Sequence, residues 1–383
     1  MIDFAFTAEQ EDFRQELRRF ARAELAPRYR ERAARSEFCW AAHRQLAELG
    51  VLGLGLPEKF GGTGEPDPIT LGLATEALAY GDVNIAAAPV QVGLVAAQLA
   101  AQARDAVAER YVPALIRGEI VAAIAVTEPS AGSDAASLAA RVRPVPGGWR
   151  LSGEKIAITH ATSAAVALVY ARHQGSRGHR GISCFAVDLE AEGVARSPMP
   201  GMGALPLCWG GLAFDDVFVP ADNLVGEEGR GFSGAMHHFD FSRPALGLLC
   251  LGAAQASLDE AVSWAKQREA FGRPIAAFQG VSFPLAEHAT QLEAARWLCY
   301  RALWLRATGQ PNTDLAAMCK WWPPQVAKDA IETAWVTHGN LGYSAESPLQ
   351  QRYRDVVSYL VADGTAAIQR IIATSLLGKV AAQ

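Results

Sequence analysis

The stretch from His338 to Arg370 concentrates residues that could do chemistry. Gly339 and Gly342 make a glycine-rich turn, Gln350 to Leu360 reads as helix, and Asp363-Gly364-Thr365 opens another apolar-periodic segment. Asp363 has two readings there. An Asp oxygen can cap the next helix, accepting backbone N–H groups that a helix start leaves unpaired. The same carboxylate can serve as a proton acceptor. A second constellation is Ala125 to Asp134, AVTEPSAGSD, which by residue type alone is a turn capped by Ser133 and Asp134.

Other chemistries find no residues. The six cysteines form no CxxC pair and none falls at metal-ligand spacing from a histidine, so they read as buried thiols in a reducing compartment. His237 and His238 are adjacent, which on a helix points them about 100° apart, a poor chelate. No metal site is expected. Gly53-x-Gly55 lacks the third glycine of a dinucleotide fingerprint, since Glu58 stands there, and no Walker A motif occurs. The net charge of -5 is spread along the chain without a basic stripe, which argues against nucleic acid. The N-terminus lacks the basic start and apolar run of a signal peptide, and no uninterrupted apolar run reaches membrane-spanning length. A cytoplasmic protein is expected.

The elements that position these residues fall into three lobes, since 383 residues exceed one ordinary core. Residues 1–120 read as helices: Thr7 opens a periodic segment with Phe13, Leu17 and Phe20, a second helix stops at Gly50, and alanine-rich helices cover 69–80 and 86–103. Residues 121–232 carry short β-favouring runs (140–145, 149–151, 165–171, 184–188, 212–219), the texture of a small barrel or sandwich. Residues 233–383 return to long helices (244–268, 281–308, 313–341 and a terminal pair), as in a four-helix bundle. Pro323 and Pro324 are expected to interrupt and kink the third. The fold class is mainly α with a central β domain.

AVTEPSAGSD, Ser242-Arg243-Pro244, QREAFGRPIAAFQG (267–280) and the C-terminal block together resemble the acyl-CoA dehydrogenase family over essentially the whole chain. The resemblance implies that family's fold: N-terminal helices, a small β-barrel and a C-terminal four-helix bundle. It also implies FAD and a homotetramer, with electron-transferring flavoprotein as electron acceptor. The implied reaction is α,β-dehydrogenation of an acyl-CoA thioester. An α-proton is weakly acidic, so a carboxylate must be aimed at one carbon, with donors on the thioester oxygen where charge develops. The β-hydrogen leaves as hydride to the flavin.

Carried over by motif, Asp363 stands where the family usually has its catalytic Glu. Its carboxylate reaches about 1.5 Å less far, roughly one C–C bond. Ser242 matches the position of the base in other members and is not basic. Thr127, with backbone contact from Val126, and the Ile158-Thr159 segment are the implied flavin contacts. Arg268, Phe271, Gln279 and the His338, Gly339, Gly342 turn match residues that reach a neighbouring subunit's FAD. Thr365 is expected to cap the last helix and contact FAD. Ser133, Arg243, Ala362 and Gly364 are the implied substrate-side residues: Ser133 matches a substrate contact, Arg243 a residue that is structural or orients the base loop, and Ala362 and Gly364 border the base. Ala157 stands where a Trp is common and Ala367 where many members have Gln.

Ala157, Ala362 and the Ala/Gly-rich stretches 85–93 and 235–238 suggest a wide pocket for a branched or alicyclic acyl group. The DGT triplet with MCKWW (318–322) and FQGVSFPLAEH (278–288) is similar to members acting on cyclohexanecarbonyl-CoA. Three other readings stand beside this one: a flavin oxidase like nitroalkane oxidase, which also has an Asp base; a dehydrogenase of acyl-carrier-protein thioesters; and a non-catalytic partner subunit.

Overall fold

A computed structural model describes residues 5–65 and 67–374, apart from the side chain of His237, so the His237-His238 pairing lies outside the described residues. Helix α1 (Ala8–Phe20) starts where the sequence places it: Thr7 accepts from the Gln10 amide and Gln10 answers on the Thr7 N–H, a reciprocal cap. Then come α2 (Tyr29–Ala33), α3 (Trp40–Glu48), α4 (Pro68–Ala79), α5 (Ala87–Gln102) and α6 (Asp105–Ile116). Both α4 and α5 are buried over most of their length, which explains why they read as apolar runs rather than stripes.

Strands β1 (Ala122–Ala125), β2 (Arg141–Val145), β3 (Gly148–Ile158), β4 (Val166–His173), β5 (Ile182–Asp188), β6 (Val194–Pro198), β7 (Gly210–Pro220) and β8 (Leu224–Val225) form one sheet ordered β6-β7-β3-β2-β4-β5-β8. β1 joins β4 in parallel, Ala122 opposite Val166 and Ala125 opposite Val169. β4 is buried on both faces. Ala167, Val169 and Ala171 enter a core of the sheet's own, while Leu168 and Tyr170 join the helical core. That is the period-2 alternation of a strand between two layers.

The C-terminal helices are α7 (Gly231–Gln267), α8 (Gln279–Ala307), α9 (Thr313–His338), α10 (Asn340–Tyr343), α11 (Pro348–Val357) and α12 (Ala366–Ala373); a small hairpin, β9 (Glu269–Ala270) with β10 (Arg273–Pro274), links α7 to α8. Two expectations are corrected. α7 begins at Gly231, not near 244, and runs through Pro244. α9 runs unbroken through Pro323 and Pro324. Each proline costs about 3 kcal/mol in a helix interior, but both are buried where α9 crosses α7. A Cβ on Gly247 of α7 would lie 2.9 Å from the Cys319 carbonyl and 3.3 Å from Pro323. Tertiary packing there outweighs the local penalty. α7 is long and apolar enough to cross a membrane by composition, yet 78 % of that window is inside the protein, the mark of a core helix.

Asp355 ties the three lobes together. Its carboxylate accepts from the Tyr29 hydroxyl, the Asn84 amide, the Ala204 N–H and the Gln351 amide.

Candidate functional site

Asp363 sits between the short turn 358–360 and α12, in the left-handed region at φ 52°, which Asp tolerates better than most side chains. It does not cap α12. That role belongs to Thr365, whose hydroxyl accepts from the Ile368 N–H. The capping reading of Asp363 therefore falls away, and its carboxylate makes no hydrogen bond or ion pair among the described residues. The N–H groups of Asp363 and Gly364 likewise meet no acceptor among the described residues.

The turn is held from two sides. Gln369, fully buried in α12, donates to the Asp363 carbonyl at 3.0 Å. Lys320 of α9, 1 % exposed, donates to the Tyr359 carbonyl. Gly364 is required: its φ is 94°, and a Cβ would lie 2.4 Å from the Gln369 amide nitrogen.

Burial raises the Asp363 carboxyl above the usual range, opposed by Lys320 and then Arg243. The residue is nevertheless exposed to water. The water contact screens the upward shift. Arg243 is buried on α7 and pairs with Asp240 at 3.1 Å, and Thr313 donates to the same Asp at 2.6 Å. Asp240 is thus committed to this network, and Ser242 is buried. Ala362 is half-buried beside Asp363.

A second set of residues lies on the sheet. Val126 and Thr127 follow β1, and the Ile156 N–H donates to the Thr127 carbonyl at 3.0 Å, placing them against the end of β3. Just beyond, the β3–β7 register shifts between Lys155 and Ile158, and Ala157 (φ 56°) and His160 (φ 63°) are left-handed. A bulge of this kind re-aims the neighbouring side chain, here Thr159. The hydroxyls of Thr127 and Thr159 are half-buried without a hydrogen-bond partner among the described residues. Glu128 anchors the first segment. It accepts from the Ala140 N–H at 2.9 Å and from Lys155 Nζ at 2.8 Å, and Lys155 also reaches the Val126 carbonyl at 3.0 Å. Ser133 is exposed beside the short turn 135–137; Asp134 precedes that turn without a side-chain cap and accepts from the Ser137 hydroxyl instead.

A third set lies elsewhere. Arg268 ends α7, 25 residues after Arg243, about 37 Å along the axis at 1.5 Å per residue. Its exposed guanidinium has no partner among the described residues. Phe271 is 95 % exposed, Gln279 is exposed, and His338 stacks on Trp264 one turn before Arg268 at 5.1 Å. A groove of about 520 Å³ runs between α8 and α9 alongside Gln279, lined by Gly280, His288 and Val336. Gly339 is open at φ 62°, with nothing near its Cβ position. Gly342 is buried, and a Cβ would lie 2.2 Å from the Trp335 carbonyl of its own chain.

Lys320, Gln369 and the Glu128–Lys155 pair escaped the sequence reading. Lys320 lies within the MCKWW run, and nothing local to it signals that Tyr359 receives its ammonium. The donor set fits a flavin. Two threonine hydroxyls without a partner among the described residues, just past the ends of β1 and β3, suit a flat polar ring, and Ala157 leaves that edge open.

The N-terminal, middle and C-terminal domain models of acyl-CoA dehydrogenase match residues 7–119, 123–217 and 229–377. The chain is 32 % identical to the caffeyl-CoA reductase–Etf complex subunit CarC of Acetobacterium woodii, over 98 % of this chain and 99 % of the relative. It superimposes on butyryl-CoA dehydrogenase from Megasphaera elsdenii with TM-score 0.93 at 34 % identity, covering 98 % of this chain and 100 % of that one. PigA with FAD and proline matches with TM-score 0.93 at 27 % identity, over 98 % and 99 % of the two chains.

Proposed function

The chain belongs to the acyl-CoA dehydrogenase family, an FAD flavoprotein oxidoreductase acting on CH–CH bonds, and on that premise we propose that it interconverts a branched or alicyclic acyl-CoA, of the cyclohexanecarbonyl type, and its α,β-unsaturated form. The carrying observation is the Asp363 carboxylate, exposed, free of hydrogen bonds among the described residues and near two cations, Lys320 and Arg243.

Asp363 takes the α-proton on a carboxylate oxygen. Its raised pKa suits a base working near neutrality. The N–H groups of Asp363 and Gly364, without an acceptor among the described residues, are the proposed donors to the thioester oxygen as charge develops. Thr127, Thr159 and the Val126 and Ile158 backbone hold the flavin ring, Thr365 a more distant part of FAD, and Ser133 and Ala362 border the substrate. FAD supplies the hydride acceptor at the β-carbon. Ala157 and Ala362 leave room for a ring-bearing acyl group. Relatives named as reductases and as dehydrogenases share this architecture, and one site serves both directions.

Arg268 lies too far from Asp363 to serve the same FAD region within one chain. We assign Arg268, Phe271, Gln279, His338 and Gly339 to a second subunit's FAD, in a homotetramer. Exposed Phe271, Phe283, Leu341 and Tyr343 supply apolar surface for that contact. Electron-transferring flavoprotein in the cytoplasm is the proposed redox partner, as the CarC–Etf complex suggests.

Anaerobic titration with cyclohexanecarbonyl-CoA, following the flavin band, tests the proposal. Rapid bleaching in the wild type, slowed by on the order of 10²–10⁴-fold in an Asp363→Asn variant that retains FAD, is expected. Equal bleaching in both removes Asp363 from its role. No bleaching in the wild type, with bleaching by straight-chain thioesters, overturns the substrate class.

A further inference from the structure

Resting on the reading of Asp363 as the base, we propose that Lys320 is its positioning residue: the buried ammonium holds the 359–365 turn by the Tyr359 carbonyl and supplies the counter-charge that keeps the Asp363 carboxylate ionised.

The argument starts from burial. Lys320 is 1 % exposed in the middle of α9, and its described hydrogen bond goes to a neutral carbonyl four residues before Asp363. No carboxylate lies within ion-pair distance of it among the described residues. A cation taken out of water needs a compensating charge close by, or it loses its proton.

The groups around it narrow the choice. From α7, Arg243 is already paired with Asp240, and the Cys250 thiol is pushed up to about 12 by burial and stays neutral. From the turn, the Tyr359 phenol is raised well above its ordinary value and is neutral as well. From α11, Asp355 has its four donors in Tyr29, Asn84, Ala204 and Gln351. Asp363 is the one acid facing Lys320 whose carboxylate has no partner among the described residues. It also lies beyond direct ion-pair contact. The ammonium therefore acts through space and through the backbone, and both carboxylate oxygens stay free to receive a proton.

The arrangement resolves a conflict in the site. Burial pushes the Asp363 carboxyl toward its protonated form, whereas a direct salt bridge would occupy an oxygen and weaken it as a base. A cation anchored on the turn's own backbone avoids both. When the proton moves from the substrate carbon to Asp363, the carboxylate charge is lost and Lys320 keeps its bond to Tyr359, so the turn does not have to rearrange.

The test uses the FAD-loaded enzyme and three variants. Lys320→Gln keeps a donor for the Tyr359 carbonyl and removes only the charge, Lys320→Met removes both, and Lys320→Arg keeps the charge. The rate of flavin bleaching by thioester is followed against pH. The acid limb of the profile is expected to move up by about one unit or more in Lys320→Gln. In Lys320→Arg it is expected to stay near the wild-type position. An unmoved limb in Lys320→Gln, with FAD content and melting unchanged, overturns the proposal. Infrared difference titration against Asp363→Asn reads the same carboxyl without turnover. If the wild type bleaches with no thioester, the functional reading fails, and the infrared titration still decides for or against Lys320. If Lys320→Met does not fold, Lys320→Gln carries the decision.

Discussion

Gln369 donates its side-chain amide to the backbone carbonyl of Asp363 at 3.0 Å, while its own amide oxygen is buried without a partner among the described residues. One bond thus fastens the proposed base to the first turns of α12, and Gly364 makes room for it. Gln369→Leu removes the clamp. The expected outcome is a stability loss of about 1–3 kcal/mol from the unpaired Asp363 carbonyl. Flavin reduction is expected to slow by on the order of 10- to 100-fold through misplacement of the base. Denaturant unfolding and anaerobic stopped-flow check the two effects separately. Gly364→Ala, strained at φ 94° and forced against the same amide, is expected to mimic it.

Asp363→Glu tests reach. The longer side chain extends the carboxylate by about 1.5 Å, and it does so from a left-handed residue that Glu adopts less readily, at a cost of about 1 kcal/mol. The variant is expected to keep FAD and pH-dependent bleaching. Its rate with cyclohexanecarbonyl-CoA should fall by on the order of tenfold, with a smaller loss for a straight-chain thioester. An unchanged ratio between the two substrates would show that the distance to the α-carbon is not set by this residue.

Lys155→Met leaves Glu128 buried beside the Ala139 and Ala140 N–H groups with its cation gone. Breaking a buried pair from one side costs about 3–5 kcal/mol. Because the same lysine holds the Val126 carbonyl, the strand end carrying Thr127 should loosen too. Lower melting temperature and weaker FAD retention are expected together, measured by calorimetry and by flavin absorbance after gel filtration.

His43 and His160 give the fold an acid limit. Burial lowers His43 to about 4 and His160 to about 3, from 6.5. In the unfolded chain both take protons near pH 6.5, and the folded chain cannot until far lower. Stability is therefore expected to fall as pH drops below 6.5, down to about 4 for His43. Asp355, raised to about 6, acts in the opposite sense between 6 and 3.8 and offsets part of the loss. His43→Leu should show a shallower fall of melting temperature over pH 6.5–4 than the wild type. Parallel curves would exclude His43 as a contributor.

The sequence by itself determined a good deal. Thr7 with Gln10, and Thr365 ahead of Ile368, are local signals, and each helix starts where its cap predicts. Period-2 runs located five of the eight strands of the main sheet, although β3 extends further than its apolar part. The AVTEPSAGSD and DGT strings identified the family, because both concentrate special residue types over a few positions. The strands β1, β6 and β8 were not legible: β1 and β8 have too few residues to show a period, and β6 is an edge strand with no buried residue. Neither was the continuity of α9 through Pro323 and Pro324, which depends on the close approach of Gly247 from a helix more than seventy residues earlier. The support of the site was hidden for the same reason. Lys320 and Tyr359 are 39 residues apart, and Glu128 and Lys155 are 27 apart. Local propensity and spacing carry no record of which distant backbone carbonyl a lysine reaches. That choice is made when helices and sheet close over their shared core and each buried charge must find a partner. The sequence names the carboxylate; the packing of α7, α9 and α12 places Arg243, Lys320 and Gln369 around the turn that carries it.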